Sequence, residues 1–219
     1  MTYSILARDP ETGAFGGAAA TGSLCVGGWV LRGRAGVGMS ASQGASPSTL
    51  WGDEALAALE TGETAAQAVS RITGADGGRD FRQLAVIGTQ DAASFTGASN
   101  TPKVGEMVFE TGVATGNLLA SDDVVPSTVE AFRSSAGHLS ERLLAALVAG
   151  RGAGSDSRGL MSAALLVVSP HHAPLSLRID YAPDPVGALL DLHDRATSGD
   201  YAFWARQVPT LAEPERALD

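Results

Sequence analysis

The residue whose type and position could do the most chemistry is Thr2, directly behind the initiator Met1. Methionine is commonly removed before a residue this small, which would free an α-amine beside the threonine hydroxyl. Such an amine titrates at about 7.7–8.0 in model compounds. It can therefore serve as general base for its own hydroxyl at neutral pH, with no histidine or lysine. Thr2 is also an ordinary second residue and a good strand former.

Other nucleophile and cofactor chemistries find little in the chain. Lys103 is the only lysine and sits in the loop-like stretch Asn100-Thr101-Pro102-Lys103. The histidines are His138, His171, His172 and His193. None is spaced four residues from another as a helical chelating pair would be. His138 precedes a helix, and His193 lies near the end of one, where a cation suits the dipole. All four read as surface or satisfied polar residues. Cys25, between Leu24 and Val26, reads as core. Gly33-Arg34-Ala35-Gly36-Val37-Gly38 places its glycines wrongly for a dinucleotide loop, with further strand where a helix should begin. Gly38-Met39-Ser40-Ala41-Ser42 lacks the closing glycine of a nucleophile elbow. No cofactor and no metal are expected.

Strands and helices must position Thr2. Tyr3, Ile5 and Ala7 open a strand, a turn follows at 9–13, and Phe15–Ala20 returns as the second arm of a hairpin. A third strand is predicted over Ala35–Ala41. Helices are predicted from Ser48 to Gly62, with Leu50, Trp51, Leu56 and Leu59 apolar, and from the capping box Thr64-Ala65-Ala66-Gln67 to Gly74. Strands are then predicted at 83–87, 94–96 and 107–110, followed by helices at 122–132 and 139–149. A strand pair at 163–168 and 175–180 comes next, then a helix opened by Asp184-Pro185. Hairpin connections dominate over strand–helix–strand alternation, which favours antiparallel sheets covered by helices. One domain is expected over 1–198. A tail over 199–219, carrying Tyr201, Phe203 and Trp204, is expected to dock on that domain or on a partner.

The chain has 219 residues, a net charge of -9 and 44% hydrophobic residues, but only 5% aromatic. Small aliphatic side chains and 27 glycines must fill much of the core. The acidic balance argues against nucleic acid and anionic membrane surfaces as partners. The single cysteine fits a reducing compartment. With no leader-like segment and no apolar run of spanning length, a cytoplasmic location is expected.

The whole chain resembles a bacterial and archaeal family, domain of unknown function 1028. The resemblance rests on Met1-Thr2-Tyr3-Ser4-Ile5 with Ala7-Arg8-Asp9, Arg34–Gly38 with Gln43, and Arg82-Gln83. It continues through Thr96-Gly97, Gly116-Asn117-Leu118-Leu119, Asp156-Ser157-Arg158-Gly159 with Ser162–Leu165, and Arg178-Ile179-Asp180 with Pro185. It departs at Thr115, where a glutamine is expected, at Ser46-Pro47-Ser48, where an asparagine is expected after Gln43, and at Gly154-Ser155-Asp156 in place of Gly-Gly-Asp. The resemblance implies an N-terminal-nucleophile (Ntn) hydrolase-like fold, α+β, a four-layer αββα sandwich of two antiparallel sheets flanked by helices. In that context Thr2 would be the nucleophile of an amide or peptide hydrolase. Gly116 and Asn117 would offer oxyanion donors. Arg34, Gln43, Asp156, Arg158 and Ser162 would bind substrate or orient the amine; the plainer readings are a surface ion pair at Arg34 and, for Asp156, Arg158 and Ser162, a structural Asp–Arg turn before a core strand. Thr2 is expected on a central strand at a pocket floor, near Arg34 and a Gly116-Asn117 turn. The expected partners are a small-molecule amide or peptide substrate and further copies of the chain. The alternative is a catalytically silent member of the fold that binds a small polar ligand or serves in an assembly.

Overall fold

A computed structural model describes residues 2–101 and 103–218; Met1 and Pro102, named above, lie outside the described residues. The described residues form two antiparallel sheets. The first holds β1 (Thr2–Arg8), β2 (Phe15–Thr21), β7 (Val104–Phe109), β8 (Gly112–Asn117), β9 (Ser162–Val168) and β10 (Leu175–Ile179), in the order β10-β9-β2-β1-β8-β7. The second holds β3 (Leu31–Arg34), β4 (Gly38–Gly44), β5 (Arg82–Gly88) and β6 (Ala92–Thr96), in that order. Helices α2 (Thr49–Glu60) and α3 (Ala65–Gly74) cover the outer face of the smaller sheet. Helices α4 (Val124–Ser134), α5 (Leu139–Gly152) and α6 (Pro185–Thr197) cover the outer face of the larger one. The four-layer αββα sandwich implied by the family resemblance is the architecture observed.

β1 explains why the sequence runs as it does. It lies in the middle of its sheet, between β2 and β8. Tyr3, Ile5 and Ala7 enter the core beneath the helices, while Leu6 enters the core between the sheets. Both faces are therefore dry, and the neighbouring strand Phe-Gly-Gly-Ala-Ala-Ala-Thr is buried at every position. Small residues suit this closeness: a Cβ on Gly17 would come within 2.7 Å of Leu6 and 3.0 Å of Met39. The one polar reach out of β1 toward the helices is satisfied, because the buried Tyr3 hydroxyl donates to the Leu147 carbonyl at 2.7 Å.

Several boundaries differ from the sequence reading, each for a physical reason. The third strand begins at Gly38 rather than Ala35, because Gly36 at φ 75° makes the turn of a β3–β4 hairpin in which Arg34 faces Gly38. A short helix α1 (Val26–Trp29) and the strand β3 precede that turn. β8 is buried at all six positions, so its sequence shows no alternation to reveal it. Leu50 points outward at 67% exposure, whereas Trp51 and Leu56 are buried. His193 is buried and shares a 2.9 Å hydrogen bond with Ser140 Oγ, so it is a core group rather than an exposed cation at a helix end. The capping box at Thr64 and Gln67 and the Asp184 cap both form. The tail continues as α7 (Gly199–Ala205), and the Ala212 N–H donates to the Pro170 carbonyl at 2.8 Å.

Candidate functional site

Strand register builds a polar row across the end of the larger sheet. Asn117 faces Thr2, Thr2 faces Thr21, and Thr21 faces Ser162. Two pairs along the register, on the same face, Thr115 faces Ser4; four pairs along, Val113 faces Leu6 within the apolar core between the sheets. The inner face thus changes from apolar to hydroxyl- and amide-bearing toward the start of β1. The gap between the sheets opens there as a pocket of about 430 Å³.

Thr2 lines that pocket and is only 6% exposed, with its Oγ1 donating to Thr21 Oγ1 at 3.1 Å. The second sheet contributes Gln43, whose Nε2 donates to Gln83 Oε1 at 2.7 Å and lies 3.4 Å from the Thr2 carbonyl. Ser4 Oγ donates to Gln43 Oε1 at 2.8 Å. The buried Gln83 side chain joins the sheets: it donates to Thr96 Oγ1 and to the Gly105 and Gly116 carbonyls, and accepts from Asn117 Nδ2 at 3.2 Å. Asn117 Oδ1 is buried without a hydrogen-bond partner among the described residues.

The far end of the row is set by Asp156, whose side chain is wholly buried. It accepts the Gly22 N–H at 2.6 Å and the Arg158 N–H at 2.8 Å, and it pairs with the Arg158 guanidinium. Arg158 lines the pocket and also donates to Ser23 Oγ at 3.2 Å. Ser162 Oγ donates to the Ser23 carbonyl at 2.7 Å and accepts the Val26 N–H at 3.1 Å, so its hydroxyl holds the chain that forms the pocket wall.

The structure brings Thr2, Gln43, Asn117, Asp156, Arg158 and Ser162 to one end of the sandwich. It does not bring Arg34 there. Arg34 sits at the opposite end of β3 and pairs on the surface with Glu60. Nor do Gly116 and Asn117 form a turn: they are the last two residues of β8. The position of a Cβ on Gly116 is taken by Leu119, on the helix side, and the Asn117 amide is engaged by Gln83. Lys103 pairs with Asp122 at 3.5 Å.

The sequence reading missed a second group of residues. Asn100, wholly buried, accepts the Ala45 N–H and donates to the Asp80, Arg82 and Gly97 carbonyls, which fixes the Gly44-Ala45 side of the pocket. Nothing in its sequence context marks it. Among the described residues, the non-glycine positions with positive φ are Cys25, Leu118 and Ser155. Leu118 lines the pocket, Cys25 lies between the lining residues Leu24 and Val26, and Ser155 precedes Asp156. Such backbones cost about 1–3 kcal/mol each and gather where function demands them. No three His, Cys, Asp or Glu side chains come together as a metal site among the described residues. No described helix is long and apolar enough to cross a membrane.

Fold and site together define an α+β sandwich with a threonine near the start of a central strand at the floor of an inter-sheet pocket. Residues 2–189 match the family of unknown function DUF1028, and the chain belongs to that family. The crystal structure of protein SPO2555 from Silicibacter pomeroyi, of the same family, is 55% identical. The likeness covers 100% of this chain and 99% of that one, with a TM-score of 0.95. The crystal structure of eukaryotic HslV from Trypanosoma brucei aligns with 75% of this chain and 98% of its own, at 13% identity and a TM-score of 0.46. Comparison with curated proteins found no match.

Proposed function

We propose that the chain is an N-terminal-nucleophile amidohydrolase that cleaves a small amide or peptide bond through Thr2 once Met1 has been removed. The observation that carries this reading is the placement of Thr2. Its hydroxyl lies at the floor of a pocket of about 430 Å³, on a central strand, hydrogen-bonded to Thr21. A structural threonine has no need of a pocket above it.

The freed α-amine takes the proton of Oγ1, and the oxygen attacks the amide carbonyl of the substrate. The amine then gives its proton to the departing nitrogen as the C–N bond breaks, leaving an acyl ester on Thr2. Water, activated by the same amine, hydrolyses the ester and restores the site. The strained backbone at Leu118, which lines the pocket beside Asn117, is the candidate donor to the oxyanion. The Gln43–Gln83–Asn117 amides hold the two sheets at fixed separation beneath the reacting atoms.

The test begins with intact mass, to establish whether the purified chain starts at Thr2, followed by turnover of a panel of amides. Thr2→Ala is expected to abolish turnover while the chain stays folded. Thr2→Ser is expected to keep part of it, and a chain forced to retain Met1 is expected to be as inactive as Thr2→Ala. Turnover by a chain that retains Met1 would overturn the reading.

A further inference from the structure

Around Thr2, Thr21 and Gln43 the pocket lining carries two further chemical groups. Leu24, Val26, Trp29, Val30, Pro47 and Leu118 make an apolar wall. Leu24 and Trp29 are 52% and 53% exposed, so the apolar surface continues out onto the rim. These side chains offer almost nothing to a polar or peptidic group, but they can take hydrocarbon out of water.

The other group is Arg158 with Ser23. Asp156 grips one edge of the guanidinium, with Arg158 Nε 3.2 Å from Oδ1 and Nη2 3.1 Å from Oδ2. Nη2 also reaches Ser23 Oγ at 3.2 Å. No hydrogen bond from Nη1 to the protein is formed among the described residues, and the Arg158 side chain is 46% exposed where it lines the pocket. Asp156 is itself fully buried and tied to the Gly22 and Arg158 N–H groups, so it fixes the guanidinium without competing for its free end. A planar guanidinium held along one edge is preorganised to receive a carboxylate.

We propose that the pocket takes N-acyl amino acids: an apolar acyl chain against the Trp29–Val30 wall, the amide over Thr2, and a free α-carboxylate on Arg158 Nη1. The position of the amide rests on the reading of Thr2 as nucleophile; the two binding ends do not. Tightening of the carboxylate over its neutral amide is expected to be about tenfold or more, as for a hydrogen bond to a charged partner.

The test is calorimetric binding to the Thr2→Ala chain, which holds the ligand without consuming it. The probes are N-octanoylglycine, N-octanoylglycinamide and N-acetylglycine. N-Octanoylglycine is expected to bind most tightly. Trp29→Ala should weaken both octanoyl ligands together. Arg158→Gln should bring N-octanoylglycine down to the affinity of its carboxamide, and Arg158→Lys, which keeps a cation beside Asp156, should retain part of the preference. Equal affinity for carboxylate and carboxamide, a preference that survives Arg158→Gln in the folded chain, or failure of N-octanoylglycine to bind would each overturn the proposal. Incubation of the chain beginning at Thr2 with the same probes separates the two readings. The predicted binding pattern without hydrolysis refutes the catalytic reading and leaves the ligand class standing. Hydrolysis that ignores both carboxylate and acyl chain does the reverse.

Discussion

Replacing Gln83 by leucine exchanges a buried amide for a hydrocarbon of similar size at the point where the two sheets meet. The wild-type amide accepts from Gln43 Nε2 at 2.7 Å and Asn117 Nδ2 at 3.2 Å, and donates to Thr96 Oγ1, the Gly105 carbonyl and the Gly116 carbonyl. Gln43 and Thr96 keep other partners, Gln43 through Thr115 and Thr96 through Glu106. Asn117 does not: its Oδ1 already lacks a partner, and its Nδ2 would join it in a fully buried position. The Gly116 carbonyl also loses its donor at 3.0 Å, while the Gly105 contact, at 3.3 Å, is the weakest of the set. Two such losses at about 1–3 kcal/mol each, partly offset by the apolar burial of leucine, give a net cost of about 3 kcal/mol. For a chain of this length that is a fall in Tm of about 6–12 °C, readable by calorimetry or a urea transition. The companion Asn117→Leu removes the other side of the stranded pair. Because Asn117→Leu removes the very amide that Gln83→Leu strands, whereas Gln83 Oε1 keeps Gln43 when Asn117 is lost, the double variant should be less damaged than the sum by about 1 kcal/mol or more. A Gln83→Leu chain within about 1 kcal/mol of the parent, or strict additivity, would refute the view that these amides form one bridge between the sheets.

Gly22→Ala places a Cβ 2.5 Å from the Gly159 carbonyl and 2.6 Å from Asp156 Oδ2. It should cost about 1–3 kcal/mol as overpacking and loosen the Asp156–Arg158 pair, with unchanged melting as the contrary result. Tyr3→Phe strands no charge but removes the hydrogen bond to the Leu147 carbonyl, for an expected loss of about 1 kcal/mol in urea denaturation. Burial lowers the pKa of His193, against the opposing pull of Glu141 and Asp194 and with a smaller push from His138. Below its unfolded value of about 6.5 the unfolded chain binds a proton that the folded chain refuses. Stability should therefore rise with pH through the window just under that value, and His193→Gln should flatten the slope there.

Local signals fixed much of the architecture in advance. The alternation of Tyr3, Ile5 and Ala7, the capping box at Thr64, the Asp184-Pro185 start of α6 and the apolar run of β9 each carry their own signature within a few residues, and each forms. Thr2 could be singled out because its chemistry depends only on its place in the chain. Which residues stand beside it could not. That depends on register: Asn117, Thr21 and Ser162 become one row only when β8, β2 and β9 align around β1, across sequence separations that no local pattern encodes. Arg34 lay in the same family-like stretch as Gln43, yet the hairpin carries it to the far end of the sheet, to Glu60. Asn100, Leu118 and the free edge of Arg158 gained meaning only from their partners. A buried carboxamide, a positive φ and an unused guanidinium N–H are properties of the packed molecule, decided where distant strands exclude water and leave each polar group only the neighbours the fold supplies.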